Sequence, residues 1–205
     1  FIFSLPRSGS TLLQRILATH VSIATTSEPW FLLPYLFSIK NNSGVYACYS
    51  HATATNAIID FYNEMPNGVD DYLAELQQFA LNLYKKAATE QAIYFLDKTP
   101  RYHLIVDEVI RLFPESKFIF LWRNPLGIVA SIVETWMDGK WHIHRYKIDL
   151  YKGLENLTAA YVHHQDKAIS LSYEDLILDP QKQIQKVCGF LHLDYDTAML
   201  DSFAK

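Results

Sequence analysis

Short apolar runs alternate with longer amphipathic segments along this chain. Apolar runs that end at charged or turn residues are typical of buried strands, and apolar positions three and four apart are typical of helices. The pattern predicts strands over 1–5, 21–25, 92–96, 117–122 and 167–171. It predicts helices from residue 11 onward, over 52–65, 72–88 and 103–113, after 125, and over 146–164 and 182–192. Asp70 or Asp71 is the predicted N-cap of the helix over 72–88. The segment 31–50 is irregular and 136–146 reads as a loop.

The alternation of strands and helices indicates an α/β domain. We expect a P-loop-like, three-layer arrangement with a central, mainly parallel sheet of about four or five strands flanked by helices. One such domain fills residues 1–205. Ligands of these folds lie beyond the carboxyl ends of the strands. Arg7, Lys98 and Arg123 each follow directly on an apolar strand. The same edge of the sheet is therefore predicted to collect three positive charges.

The first strand leads into a glycine-bearing loop and then a helix, which is how phosphate cradles are built. Against the template G-x-x-x-x-G-K-[ST] the match is partial. Gly9 and Thr11 agree with it, whereas Ser4 stands in place of the first glycine and Ser10 in place of the lysine. Arg7, in the same loop, is the candidate substitute, since a guanidinium grips an oxyanion bidentately.

The loop sequence Pro-Arg-Ser-Gly-Ser-Thr-Leu-Leu over residues 6–13 resembles the 5′-phosphosulfate loop of the sulfotransferases. These enzymes use 3′-phosphoadenosine 5′-phosphosulfate (PAPS), and the similarity is greatest to the branch with tyrosylprotein and bacterial sulfotransferases. Later motifs fit the same family in the same order, so the resemblance runs from residue 1 to about residue 193. It implies that the loop binds the cofactor, through Arg7, Ser8, Gly9, Ser10, Thr11 and Leu12.

The buried strand over 92–96 ends in Asp97-Lys98-Thr99-Pro100, which permits two interpretations. A hydrophobic strand that ends in aspartate is typical of a Mg²⁺-binding P-loop kinase or NTPase, with Asp97 at the metal. The same segment resembles the lysine-bearing segment of sulfotransferases, in which Lys98 would lie against the leaving phosphate. The second interpretation is favoured because it supplies the cation that the first loop lacks.

The strand over 117–122 ends in Arg123, and Ser131 follows on the next helix. An arginine at a strand end and a serine on the following helix can converge on one anion. The resemblance implies that Arg123 and Ser131 bind the 3′-phosphate of PAPS. It also implies that Tyr173, in the segment Ser-Tyr-Glu-Asp-Leu over 172–176, contacts the nucleotide.

Glu28 precedes Pro29, which favours an extended conformation at a turn. The resemblance places a catalytic glutamate at about this distance after the loop arginine, so Glu28 is the implied general base. His20, His142 and His144 are reserve candidates, since histidine is a common general base. The His-x-His spacing suggests a metal, but no third ligand of the right type lies nearby in sequence, so no metal site is predicted.

Composition narrows the choice of partners. The formal charge of −4 gives no overall basic field for nucleic acid or an anionic membrane, so local cations must meet an anionic ligand.

Two cysteines make no disulfide framework, and Cys188 shares a helical face with apolar residues, which favours a buried, reduced thiol. No apolar run reaches membrane-span length and no signal peptide is visible. These features favour the cytoplasm but leave the compartment and the oligomeric state open.

The two ends of the chain suggest a trimmed piece, because residue 1 already lies inside the first predicted strand. Sulfotransferases of this type carry a further basic or glycine-bearing segment near the C-terminus that closes over the cofactor. No such segment can be placed before Lys205. We expect either that the chain is trimmed there or that the contact is made differently.

These observations predict an enzyme that moves a sulfuryl group in line from PAPS to an acceptor hydroxyl or amine. Arg7 and Lys98 would stabilise the transferring group and Glu28 would take the proton. The acceptor class remains open. The alternatives are a P-loop kinase or NTPase that uses Asp97 and Mg²⁺, and a non-catalytic nucleotide-binding module.

Overall fold

The computed structural model describes residues 1–40 and 50–203. Its strands are β1 (Ile2–Ser4), β2 (Ile23–Thr25), β3 (Tyr94–Leu96), β4 (Phe118–Trp122) and β5 (Ala168–Ser172), and all of their pairings are parallel. One sheet has the order β1-β4-β5, with Ile2 opposite Ile119 and Phe118 opposite Ala168. The pair β2-β3 lies beside β1, where Ile2 N donates to Asp97 O at 3.1 Å. The predicted parallel sheet is therefore confirmed as three paired strands, with the parallel pair β2-β3 joined to β1 by this hydrogen bond.

The described part of the chain contains nine α-helices, of which seven lie between strands and two follow β5. They are α1 (Ser10–Ala18), α2 (Leu32–Phe37), α3 (His51–Asn63), α4 (Val69–Ala87), α5 (Val106–Leu112), α6 (Pro125–Trp136), α7 (Leu154–His163), α8 (Tyr173–Leu178) and α9 (Pro180–Leu191). Shorter 3₁₀ turns span Pro100–Leu104, Ile143–Tyr146 and Thr197–Phe203, and a π-helical turn spans Ile148–Gly153.

Side-chain caps fix several helix starts that follow strands. Asn124 accepts a hydrogen bond from Leu126 N, and Pro125 occupies the first turn of α6. Ser172 caps α8 through Asp175 N. Ser172 is the last residue of β5 and Asn124 lies two residues after β4, so each helix begins at a defined residue close to the end of a strand.

The predicted cap of α4 was wrong. Gly68 precedes the helix, and Asp70 and Asp71 lie in its first turn. Both carboxylates still complement the helix dipole there. Asp71 accepts from the backbone and side-chain nitrogens of Asn67, at 2.9 Å each, and these hydrogen bonds hold the pKa of its carboxyl below the usual value.

Four further segments differ from the sequence prediction. The irregular segment contains α2, in which Pro34 occupies an early position whose N–H needs no intrahelical partner. The predicted helix over 103–113 begins instead as a 3₁₀ turn, and that over 146–164 begins as the π-helical turn. The predicted loop over 136–146 contains the 3₁₀ turn that ends at Tyr146. The prediction for 41–49, which includes Cys48, lies outside the described residues.

Two apolar clusters cover opposite faces of the sheet. Phe3, Phe118 and Phe120 point to the cluster packed by α2, α4, α5 and α7. Ile2 and Ile119 point to the cluster packed by α1 and α9. Neighbouring strand residues alternate between faces, so both faces need helices, which gives the predicted three layers.

Cys188 belongs to the second cluster, as predicted. It is free and buried, and its Sγ lies 3.8 Å from Met199 Sδ. Burial raises the pKa of this thiol.

Leu17 is fully buried in the α1 cluster, so truncation there tests the packing of α1 on the sheet. We expect Leu17→Ala to lower the free energy of unfolding by about 2–5 kcal/mol because it leaves a cavity. Leu178→Ala is the matched control, since Leu178 is 82% exposed; its effect should stay within about 0.5 kcal/mol. Denaturant unfolding measures both, and equal losses would contradict the assigned core.

Candidate functional site

The loop between β1 and α1 makes a sharp turn that needs glycine. Gly9 has φ +87°, and a Cβ at this position would lie 2.2 Å from Cδ2 of Tyr173. Both the backbone conformation and the neighbouring ring therefore exclude a side chain. No side chain caps the start of α1, and its first turn carries no acidic residue. The positive end of the helix is thus open to an anion.

A cavity of about 470 Å³ lies beyond the carboxyl ends of β1, β3 and β4. It is bounded by the loop, by the Glu28 turn, by the segment after β3 and by α6 and α8. The lining residues are Pro6, Arg7, Gly9, Ser10, Thr11, Glu28, Trp30, Pro100, Arg101, Arg123, Ser131, Trp136 and Tyr173.

Arg7 is held against the rim of this cavity by α6. Its Nε donates to Ser131 Oγ and one terminal nitrogen donates to Thr135 Oγ1, both at 3.0 Å. Its guanidinium carbon lies 5.7 Å from the ring centre of Trp136. Arg7 itself has φ +65°, an uncommon conformation for a residue with a side chain. Its partners among the described residues are therefore neutral, and its charge is not cancelled by a carboxylate.

Arg123 is fixed by the loop and by Tyr173. Its NH1 donates to the carbonyl oxygen of Arg7 at 2.7 Å, and its guanidinium carbon lies 4.4 Å from the ring centre of Tyr173. Glu174 joins the two segments, since it accepts from Asn124 N at 2.9 Å. This backbone hydrogen bond holds the pKa of the Glu174 carboxyl below its usual value.

The predicted convergence of Arg123 and Ser131 on one anion stays a prediction. Both residues line the cavity, but the hydroxyl of Ser131 accepts from Arg7 rather than from Arg123. Sequence spacing could show that both lie at the same edge. It could not show which arginine the serine meets, because Arg7 is far away along the chain.

Lys98 is buried behind the cavity wall and forms an ion pair with Glu28. Its Nζ donates to Glu28 Oε1 and, at 3.3 Å, to Thr11 Oγ1. The side chain of Lys98 is 2% exposed and that of Glu28 is 33% exposed. Glu28 Oε2 accepts from Trp30 Nε1 at 3.2 Å. Glu28 therefore reaches the cavity with one oxygen on a cation and the other on an indole.

Asp97 points to the opposite side of the sheet from Lys98. Its carboxylate accepts from the hydroxyls of Tyr84 at 2.5 Å, Tyr102 at 2.9 Å and Thr99 at 3.2 Å, and it is 1% exposed. Burial raises the pKa of this carboxyl despite the three donors. Asp97 is enclosed by core tyrosines and does not line the cavity. This position gives no support to the Mg²⁺-binding interpretation.

The remaining predicted residues divide into two groups. Ser10, Thr11 and Tyr173 line the cavity, whereas Leu12 packs against the α1 core and Ser8 is buried beneath the loop. Ser8 Oγ has no hydrogen-bond partner among the described residues.

The reserve histidines do not line the cavity. His20 accepts from Ser22 N at 3.1 Å and lies 3.0 Å from the carbonyl oxygen of Asp194, so both ring nitrogens are engaged. His142 and His144 are exposed, with ring centres 6.2 Å apart. Among residues 1–40 and 50–203, no group of three or more histidine, cysteine, aspartate or glutamate residues is placed to hold a metal ion. No helix in that part of the chain is long and apolar enough to cross a membrane.

Sequence reasoning missed several residues of the cavity wall. Trp30, Trp136 and Arg101 line it, and none was assigned a role. Arg101 directly follows the Lys98 segment, so its position in sequence was an available signal. Trp30 stands two residues after Glu28 in the same turn, with φ +59°.

Comparison with known proteins agrees with this geometry. Residues 1–197 match the sequence model of the sulfotransferase family. The nodulation protein NoeE of Sinorhizobium fredii is 31% identical over 138 residues, which are 66% of this chain and 31% of NoeE. Protein-tyrosine sulfotransferase 1 of Danio rerio is 25% identical over 206 residues, which are 98% of this chain and 54% of that protein. The chain thus spans only part of the length of these relatives.

Solved structures share the fold. The sulfotransferase domain from the curacin biosynthetic pathway has a TM-score of 0.67 and 25% identity, and the match covers 99% of this chain and 76% of that domain. A mouse sulfotransferase complexed with PAP has a TM-score of 0.55 at 14% identity, with 100% and 62% covered; at that identity the likeness shows the fold alone. Because the family match extends over residues 1–197, the protein belongs to the sulfotransferase family.

Proposed function

We propose that this chain transfers a sulfuryl group from PAPS to an acceptor hydroxyl or, as a less favoured acceptor, an amine. The observation that carries the proposal is the convergence of Arg7, Arg123 and the uncapped start of α1 on one cavity, with Lys98 directly behind its wall. Membership of the sulfotransferase family supports the reaction class. The mouse neighbour complexed with PAP supports the choice of cofactor.

The residues present fit an anionic nucleotide. Gly9 leaves the loop backbone accessible to a ligand in the cavity. Ser131 accepts from Arg7 and so keeps its own proton to donate to a phosphate oxygen. Arg123, with Ser131, binds the 3′-phosphate, and Tyr173 lies against the nucleotide. The loop N–H groups of Gly9, Ser10 and Thr11, with Arg7, bind the 5′ side, whereas Leu12 N already donates to the carbonyl oxygen of Gly9 at 3.0 Å.

Bound PAPS supplies an activated sulfuryl group on a leaving phosphate. Arg7 and the loop N–H groups stabilise the charge that develops during in-line transfer, and Lys98 donates to the leaving oxygen. Glu28 accepts the acceptor's proton on a carboxylate oxygen. Since a transferring sulfuryl group carries less negative charge than a phosphoryl group, these cations suffice in the proposed mechanism.

The first test concerns the 3′-phosphate. We expect adenosine 3′,5′-bisphosphate to bind at least about 30-fold more tightly than AMP, because the lost charge-assisted hydrogen bonds are worth about 2 kcal/mol. Arg123→Ala should remove most of this preference. Arg111→Ala is the control, since Arg111 pairs with Asp70 on the surface. Calorimetry measures each affinity. Equal affinity for both nucleotides, or a preference that survives Arg123→Ala, would contradict the assignment.

The second test concerns metal. We expect turnover with PAPS to stay within about two-fold when EDTA is added, because Arg7 and Lys98 take the place of a cation clamp. Asp97→Asn should lower the free energy of unfolding by about 1–3 kcal/mol, since the buried carboxylate accepts from two tyrosines and a threonine. Activity lost on chelation, restored by Mg²⁺ and abolished by Asp97→Asn, would favour the kinase interpretation.

The third test concerns the base. Glu28→Gln keeps the size of the side chain and removes its basicity, so single-turnover transfer should fall by at least about 10²-fold while nucleotide affinity stays near normal. Glu75→Gln, on the exposed face of α4, is the control and should change neither quantity. Normal turnover would remove Glu28 from the mechanism. Loss of nucleotide binding would make Glu28 a structural partner of Lys98.

A further inference from the structure

A further cation lines the cavity, and the proposed reaction does not use it. Arg101 lies on the 3₁₀ turn after β3, and its side chain is 34% exposed. Its Nε is 3.1 Å from Asp149 Oδ1. Its terminal amino nitrogens donate no hydrogen bond to another residue of the described chain. They are the part of the guanidinium that remains available to a ligand.

Asp149 is held from behind by a second donor. The side chain of Asp149 is 2% exposed, and its Oδ1 lies 2.9 Å from Nε2 of His103, which is fully buried. His103 packs directly against Gly153, where a Cβ would lie 2.6 Å from Nδ1 of the ring. Asp149 and Gly153 both belong to the π-helical turn. The π-helical turn therefore places the carboxylate of Asp149 at Nε2 of His103 and the backbone of Gly153, which has no side chain, at Nδ1 of the same ring.

If the cluster of Arg101, Asp149 and His103 served the fold alone, its burial would cost folding free energy without a compensating gain. A buried carboxylate has a large desolvation cost, and apolar residues of similar volume often replace such pairs without loss of stability. What the cluster does provide is a guanidinium held in one orientation at the cavity wall. Fixed donors bind an anion with less loss of conformational freedom than a mobile lysine would.

Arg101 and Glu28 both line the cavity, and the segments that carry them are in contact. Trp30 N donates to Thr99 Oγ1 at 3.4 Å, which joins the Glu28 turn to the segment that carries Arg101. Arg7 and Arg123 are held by different partners, namely each other's segments, α6 and Tyr173. Since Glu28 must reach the acceptor hydroxyl, the wall that it shares with Arg101 faces the acceptor.

We infer that Arg101 binds an anionic group of the acceptor, a carboxylate, sulfate or phosphate next to the hydroxyl that is sulfated, and that Asp149 positions it for this task. The inference rests on the proposed function and names the substrate class of the same site. Two terminal N–H groups of a guanidinium match a carboxylate or sulfate edge. The acceptor is therefore a hydroxy acid in the broad sense, rather than a neutral alcohol.

The test compares acceptor analogues that differ only in charge. The probes are 4-hydroxyphenylacetate with its amide, and glucuronate with glucuronamide. Each is titrated calorimetrically into protein saturated with adenosine 3′,5′-bisphosphate. In at least one pair we expect the carboxylate to bind about ten-fold more tightly than the amide, as one charge-assisted contact allows. Arg101→Gln should reduce this ratio to about one, and Arg101→Lys should retain part of it.

The Asp149→Asn variant tests whether Asp149 orients the guanidinium of Arg101 or whether Arg101 acts through its charge alone. If Arg101 acts only through its charge, removal of the neighbouring negative charge strengthens carboxylate binding. If Asp149 positions Arg101, the carboxylate preference falls by at least about three-fold although the local charge becomes more positive. Nucleotide affinity should be unchanged in every variant, which also shows that the variant is folded.

The outcomes distinguish this inference from the proposed function. Failure of adenosine 3′,5′-bisphosphate to bind the wild-type protein would count against the proposed function. Normal nucleotide binding without a carboxylate preference in either pair would overturn the inference alone. So would a preference that Arg101→Gln leaves intact. If Asp149→Asn fails to bind nucleotide, Arg101→Gln and Arg101→Lys still decide the matter.

Discussion

The contact between Gly9 and the ring of Tyr173 is the constraint on which the site depends. Because Gly9 has no Cβ, the ring of Tyr173 can lie directly on the loop, closer than any other residue would permit. The guanidinium of Arg123 stacks on that ring and donates to the carbonyl oxygen of Arg7. Arg7 in turn reaches α6 through Ser131 and Thr135. One glycine thus allows the loop, β4, α6 and α8 to meet around a single cavity.

The two consecutive residues that follow β3, Asp97 and Lys98, have different roles. Asp97 and Lys98 follow β3 and point to opposite faces, as neighbours in extended chain do. Asp97 is stabilised by three hydroxyl donors in the core, whereas Lys98 turns to Thr11 and Glu28 behind the cavity. Asp97 and Lys98 therefore do not form an ion pair with each other. This separation explains why the sequence Asp-Lys is compatible with two interpretations until the face of each residue is known.

The sequence predicted most of the features that depend on the local pattern of apolar and polar residues. The strand ends that carry Arg7, Lys98 and Arg123 were readable because apolar runs stop there, and parallel strands bring such ends together. The α2 helix was missed because Pro34 and several aromatic residues hide its short pattern. The bond from Arg7 to Ser131 and the Arg101–Asp149–His103 cluster were not predictable, since each joins segments that only the tertiary fold brings together. Hydrophobic periodicity shows which helix face or sheet edge a residue occupies, but it does not show which distant residue it contacts.

The pairing of the cations bears on the order of events in the proposed reaction. Arg7 and Arg123 are held by hydroxyls, a carbonyl and aromatic rings, so neither must leave a carboxylate to accept a phosphate. Lys98 is different, because it is paired with Glu28. When Lys98 turns to a leaving phosphate oxygen, Glu28 loses that cation and its carboxylate becomes available to an acceptor hydroxyl. In the proposed reaction, one movement of the Lys98 ammonium group would therefore both engage the leaving phosphate and free the Glu28 carboxylate to act as the general base.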